Sequence, residues 1–359
     1  MIERRVLPSG GVTYRVRYYG PDRRQRSRSF KRRRDAEAYA VQVGSELQRG
    51  AWLDPRRGKA TVAEMWVEYE RHGMGHLRET TRQNYRQGWR TVGPSLGAWQ
   101  VGRLEHADVA EWVVTLSAQK GPDAVRLAHQ TLLRVLDHAM RNRRIAVNPA
   151  RGVLLPRRPP ARERILTAAQ VDAMAERMGD RGEVVLALVY LGLRWSELAA
   201  LRVADIDLAR RRVRVVERAT EVGGKMDVSA PKSRASTRHI AIPSLLLVQL
   251  ERRTSGRSPE ALVFPAPDGG YLRNGNWRRQ VRWSTVTSEL GLAGITPHDL
   301  RRTYGSLARL AGADLRFIQR AMGHESITTT ARIYAHLYDG ELDTIAEAMD
   351  RLRKPEEGA

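Results

Sequence analysis

Cysteine is absent from all 359 residues, which removes disulfides, thiolate nucleophiles and cysteine-based zinc sites together. Nucleotide fingerprints are missing as well, with neither a P-loop pattern nor a glycine-rich dinucleotide turn after a strand, so the chemistry is expected to need no ATP and no cofactor. Long apolar runs are scarce. The longest, Val184 to Leu193, is about half of a membrane span, and the opening MIERRVLPSG has no apolar core for a signal peptide. A soluble, unexported protein with no membrane partner is the expectation, and the cytoplasm is permitted. Lysine is also rare, at six of the 62 basic residues, a bias that a GC-rich genome explains as well as guanidinium chemistry does.

What the chain has in excess is positive charge. Its 62 Lys and Arg against 40 Asp and Glu give a formal net charge of +22. With 42% hydrophobic and 28% charged residues this is the composition of a folded protein, so the charge lies on folded surfaces and implies a polyanionic partner. Nucleic acid is favoured over an acidic membrane. A chain of this length is expected to divide into two or three cores.

The charge is uneven. Residues 1 to 59 hold 16 basic against 6 acidic residues, 60 to 160 hold 15 against 9, and 161 to 359 hold 31 against 25. The dense N-terminal piece alternates at period two over Val12 to Tyr19 between turn signals, and Asp35 opens a helix through Ala36, Tyr39, Val43 and Leu47 that stops at Gly50. A three-stranded sheet plus one helix follows, as domain 1–57, with Arg15, Arg17, Arg23, Arg24, Arg26, Arg28, Lys31, Arg32, Arg33 and Arg34 as candidate DNA contacts. Residues 60–150 read as a four-helix domain, opening on the capping box Thr61 to Glu64 and continuing with helices near 79–91, 107–117 and 123–142. Residues 151–164 carry three prolines among five arginines and read as a linker. A domain over 165–340 starts at the cap Thr167 to Gln170 and mixes helices with short strands near 212–216 and 238–242. A tail, 341–359, has an apolar stripe of Leu342, Ile345, Met349 and Leu352 that packs on its own domain or on a neighbouring protomer. Two linked basic bodies suggest a clamp around a duplex.

Chemistry concentrates in the third domain. In Thr296-Pro297-His298-Asp299-Leu300-Arg301 the cap, the first-turn proline and Asp299 start a helix, so His298 and Arg301 share one face at its positive end. The dipole there disfavours imidazolium. Arg194 follows a core-forming run and needs a partner. Glu197, three residues on, makes either a structural ion pair or a second-tier carboxylate that aims the guanidinium at an anion. Gly323 ends one helix and Ser326 begins another, leaving His324 in the turn, and Tyr334 ends the helix after it. Breaking a phosphodiester without a metal takes a nucleophile, cations on the non-bridging oxygens and an acid for the departing oxygen. Arg194, Arg301, His298, His324 and Tyr334 supply all but the acid. Lys232 in a turn-rich segment is one candidate for it, and Lys225 the other.

Together, GLRWSEL, APKSRAS, HDLRRTYGS, MGHES and RIYAH, in this order and spacing, resemble the signature of tyrosine recombinases of the phage-integrase type. The resemblance covers roughly residues 60 to 340. It implies a multidomain fold, with a small α+β N-terminal arm-type DNA-binding domain, an all-α core-binding domain and a mixed α/β, mainly helical catalytic domain. It implies that Tyr334 attacks the scissile phosphate to leave a 3′-phosphotyrosine, that Arg194 and Arg301 clamp the phosphate, and that His298 and His324 share proton handling. Lys232 would protonate the leaving 5′ oxygen and Glu197 would orient the arginine side. Some relatives carry tryptophan at the position of His324. The implied partners are core-type and arm-type DNA sites, three further copies of the chain in a tetramer, a DNA-bending protein and an excision factor. No metal or cofactor is implied. Competing readings are a DNA-binding regulator that keeps the fold without strand transfer, a topoisomerase using the same tyrosine chemistry, and a metal nuclease built on Asp205 and Asp207, which otherwise read as a turn in solvent.

Overall fold

The computed structural model describes residues 1–8, 11–50, 52–158, 164–230 and 237–334, together with 346, 349 and 350. It divides into two compact units, Met1–Pro160 and Ala161–Ala359.

The first unit opens with β1 (Ile2–Val6), β2 (Val12–Tyr19) and β3 (Gln25–Phe30), an antiparallel sheet in that order with Tyr14 opposite Phe30 and Arg17 opposite Ser27. Helix α1 (Arg33–Gln48) packs on it through buried Ala36 and Val43 against Val16, and ends where Gly50 takes φ +66°. It starts two residues ahead of the expected Asp35, which falls inside the first turn, where an acid suits the helix dipole. Then come α2 (Val62–Glu68), α3 (Glu79–Leu96), α4 (His106–Gln119) and α5 (Pro122–Arg141). The α2 capping box forms as expected, with Glu64 N–H donating to Thr61 Oγ1 (3.1 Å) and Thr61 N–H to Glu64 Oε2 (2.8 Å).

Helix α3 was expected to stop near 91 but continues through Pro94 to Leu96. The reason is packing: Tyr85, Gly88, Val92 and Leu96 are all buried, so the apolar stripe carries the helix past a proline that costs about 3 kcal/mol. Helix α5 lies close against α3 because Gly88 lacks a side chain; a Cβ there would sit 2.1 Å from Thr131 Oγ1.

The second unit contains α6 (Ala168–Arg177), α7 (Glu183–Tyr190), α8 (Trp195–Ala200), β4 (Ile206–Asp207), β5 (Arg212–Val215), β6 (Arg218–Val222), β7 (Lys225–Ser229), β8 (Arg238–Ala241), α9 (Ser244–Thr254), α10 (Asn274–Gln280), α11 (Trp283–Glu289), α12 (Pro297–Leu310), α13 (Leu315–Met322) and α14 (Ile327–Tyr334). Strands β4, β5 and β8 form one antiparallel sheet and β6 with β7 a separate hairpin. The hairpin was not foreseen. Its strands RATEV and KMDVS alternate weakly, and the signal for it was the Gly223-Gly224 pair, whose positive φ angles of 59° and 77° make a two-residue turn. Asp205 is not in solvent. It is buried, accepting from the Arg202 N–H (3.2 Å) and from Arg214 (3.3 Å), which makes it a structural carboxylate. Among the described residues no group of three or more His, Asp or Glu is placed to hold a metal ion. Helix α7, apolar on nearly every face, is the centre of this unit's core, and the segment leaving it carries the first site residue.

Candidate active site

The site is organised around one buried carboxylate. Arg194 stands at the N-cap of α8, and Glu197 at its third position is 4% exposed. Glu197 Oε1 accepts from Arg194 Nη1 (2.7 Å) and Arg238 Nη1 (3.1 Å), while Oε2 accepts from the Arg194 N–H (2.9 Å) and Arg238 Nη2 (2.9 Å). Arg301 lies 3.8 Å from Oε2. Burial alone would raise this carboxyl; the Arg238 hydrogen bond and the charges of Arg238, Arg301 and Arg194 instead hold it down at about 2. Three guanidinium groups, two of them buried, against one buried carboxylate leave a local excess of two positive charges.

Arg301, on α12, is 1% exposed, and its two terminal nitrogens donate to the carbonyls of Gly192 and Met322. Burial, then the charge of Arg194, push it down to about 9, still cationic at neutral pH. Gly192 makes this approach possible: it takes φ +58°, and a Cβ there would lie 2.6 Å from the Tyr304 ring. Arg194 Nη2 donates to the Gly323 carbonyl (2.9 Å), so both arginines converge on the segment that leaves α13. Gly323 terminates α13 in the left-handed region, at φ +61°.

Two histidines flank the arginines. His298 sits in the first turn of α12, which is fixed by the N–H and hydroxyl of Thr296 donating to Asp299 Oδ2 (2.8 and 2.7 Å). The imidazole keeps an exposed edge yet is crowded by cations, and desolvation followed by Arg302 and Arg301 lowers its pKa. A neutral imidazole was expected from the helix dipole; here desolvation and arginine charge lower it. His324 Nδ1 pairs with Thr330 Oγ1 (3.0 Å), and burial, then Arg301, Arg194 and Arg238, bring it down to about 4.

Tyr334 ends α14 and is wholly buried. Its phenol donates to the Arg302 carbonyl (3.2 Å) and toward Met322 Sδ (3.3 Å). The ring lies on Gly305 of α12, where a Cβ would meet Tyr334 Cζ at 2.2 Å. The structure therefore gathers Arg194, Glu197, His298, Arg301, His324 and Tyr334 around the Met322 to His324 turn. Lys232 falls outside the described residues, as does most of the 341–359 tail. Its rival Lys225 is exposed at the start of β7. Sequence reasoning missed Arg238, although it occupies a core-facing position of a strand alternating buried and exposed, a place where a charge needs a reason.

The N-terminal candidates differ from one another. Arg24, Lys31 and Arg32 are exposed. Arg15 donates to Ser27 (2.7 Å), Arg17 pairs with Glu3 (3.0 Å), Arg28 lies over Phe30 and Tyr39, and Arg33 pairs with Glu37 (2.9 Å). Arg26 departs from the expectation of a DNA-facing residue. It is held by Asp22 (2.6 Å) and Asp54 (2.6 Å) with its guanidinium 4.6 Å from the centre of the Trp52 ring, an arrangement that ties β3 to the chain after α1.

A buried tyrosine beside a cluster of arginines and histidines, on a mainly helical domain with a small sheet, is the arrangement that a DNA strand-transferring enzyme working through tyrosine would need. The chain belongs to the phage integrase family, whose sequence pattern matches residues 158–341, and is a tyrosine recombinase of the integrase type. It is 27% identical to the integrase of Mycobacterium phage L5 over 369 residues, covering 97% of this chain and 94% of that one. In fold it is similar to the Tn1549 transposon integrase solved with a circular intermediate DNA, at 23% identity and TM-score 0.68 over 81% of this chain and 99% of that one. It is also similar to the lambda integrase tetramer bound to a Holliday junction, at 17% identity and TM-score 0.59 over 90% and 96% of the two chains.

Proposed function

We propose that this recombinase cuts and rejoins DNA at paired attachment sites with Tyr334 as nucleophile, Arg194 and Arg301 as the phosphate clamp, and Glu197 as the group that aims the clamp. The observation that carries the assignment is the meeting of the phenol and both guanidinium groups on the Met322 to Gly323 segment. The phenolic oxygen bonds to phosphorus, the bond from phosphorus to the 5′ oxygen breaks, and the departing oxygen takes a proton from Lys232. His298 and His324, both disposed to be neutral, share the proton handling: one accepts the phenolic proton while the other donates a hydrogen bond to the phosphate. The tyrosyl ester retains the bond's free energy, so a new 5′-hydroxyl reverses the step without ATP.

In the structure the clamp nitrogens donate to backbone carbonyls. A phosphodiester replaces those acceptors because it brings a full negative charge and bidentate geometry to the guanidinium groups, which a neutral carbonyl does not. The first unit supplies core-type contacts through its helices and arm-type contacts through its sheet, where Arg24, Lys31 and Arg32 are the exposed cations. Four copies act together, a reading supported by the lambda integrase tetramer on its junction, and the bacterial cytoplasm is where they act.

The test is a nicked core-site duplex from which the freed strand diffuses away. A covalent adduct that forms in EDTA is expected. Tight binding with no adduct would favour a regulator, and relaxation of any supercoiled plasmid without paired sites would favour a topoisomerase.

A further inference from the structure

Arg238 lies outside the five motifs, yet it is built into the site. Its two terminal nitrogens grip Glu197 (3.1 and 2.9 Å) while Nε donates to the Ala321 carbonyl (2.6 Å), so one side chain joins β8, the start of α8 and the end of α13. Each attachment leads to the clamp. Glu197 aims Arg194 (2.7 Å), and Ala321 directly precedes the two residues whose carbonyls receive Arg301 and Arg194.

Acceptor capacity decides what Arg238 does there. A carboxylate offers about four lone-pair sites, and the two donors on each Glu197 oxygen, all from Arg194 and Arg238, fill them. Arg301, 3.8 Å away, is thereby kept off the carboxylate and points its nitrogens elsewhere. With Arg238 removed, two lone pairs come free beside a buried guanidinium, and Glu197 closes on Arg301. Lysine keeps the charge but cannot reproduce a planar three-nitrogen grip.

We propose that Arg238 is a positioning residue for strand cleavage, holding Glu197 and the end of α13 in register so that Arg301 stays available to the scissile phosphate. This rests on the clamp assignment made above. The test compares Arg238→Lys and Arg238→Gln with the wild type on the nicked duplex. It measures DNA affinity, melting temperature and the rate of adduct formation at saturating DNA, with either oxygen or sulfur at the bridging 5′ position. Losing hydrogen bonds to a charged group predicts adduct formation slower by roughly 10- to 100-fold, with the lysine variant intermediate and DNA affinity within about twofold of wild type.

Sulfur leaves without protonation, so a clamp defect persists with it. Full rescue by sulfur would place the defect on the leaving-group side and overturn the proposal. So would rates within about twofold of wild type, or a lowered melting temperature with an unchanged rate, which is what a purely structural role gives. If the glutamine variant does not fold, the lysine variant carries the comparison. A wild-type protein that forms no Tyr334 adduct would overturn the functional reading itself rather than the role of Arg238.

Discussion

Arginine does two different jobs in the two units. In the N-terminal sheet and on α1 beside it much of it is displayed: Arg5 and Arg17 share Glu3, and Arg33 pairs with Glu37, all in contact with solvent. Exposed pairs of this kind contribute little to stability, and their use is the field they project. In the second unit Arg194, Arg238 and Arg301 surround a single carboxylate, two of them buried. Burying these charges is costly, and the cost is offset only by close pairing and by carbonyls aimed at the surplus nitrogens. The lesson is that net charge locates the surface that attracts DNA, whereas reactivity lies where cations outnumber their buried partners and a phosphate completes the set.

Substitutions should separate these roles, and the largest effect is expected at Tyr334. Tyr334→Phe keeps the buried ring and should abolish the adduct while leaving site binding nearly unchanged in a gel-shift titration. A variant that still cleaves would move the nucleophile to Tyr304 or Tyr338.

Acid should strike the second unit's site next. His324, brought down to about 4 from an ordinary 6.5, is neutral when folded, so its contribution is complete above 6.5 and is lost as pH falls through 4. Glu197, held at about 2 against an ordinary 4.5, contributes fully above 4.5 and loses that contribution as pH falls toward 2. The His324 step amounts to about 3 kcal/mol at most. Replacing His324 by Gln should therefore flatten the upper part of the acid limb in melting curves taken from pH 7 to 4. An identical limb in both proteins would show that His324 does not titrate with unfolding.

A smaller change is expected from Gly305→Ala. The added methyl collides with the Tyr334 ring, and overpacking of this kind costs about 1–3 kcal/mol. It should also push the phenol outward, which nitration of Tyr334 would detect. An unchanged nitration rate and melting point would mean that α12 and α14 separate freely. The smallest effect belongs to the display side. Arg32→Ala should leave the cleavage rate at saturating DNA unaltered and reduce the slope of log affinity against log salt by about 0.9 if Arg32 meets one phosphate. A slowed rate at saturation would blur the contrast between the two kinds of arginine.

Much of the site was readable in advance because its parts are local. The Thr296 to Asp299 cap, the glycine that ends α13 and the pairing of Arg194 with Glu197 each span three or four residues, and all three form. What escaped depends on distant packing. Arg238 matters because β8 brings it beside Glu197, 41 positions back in the chain, and no local pattern encodes that. Likewise the burial of Tyr334 follows from a missing side chain at Gly305, and the length of α3 from a stripe that outweighs a proline. Arg26 was misread for the opposite reason: its neighbours are basic, but Asp22 and Asp54 hold it in place.

The most direct test is a crystal structure of the protein on a core-site duplex with vanadate in place of the scissile phosphate. Arg194 and Arg301 should donate to equatorial oxygens while Tyr334, from the same or a neighbouring protomer, occupies an apical position. A vanadate bound with the phenol still on the Arg302 carbonyl, and with no other protomer's tyrosine in its place, would contradict the account.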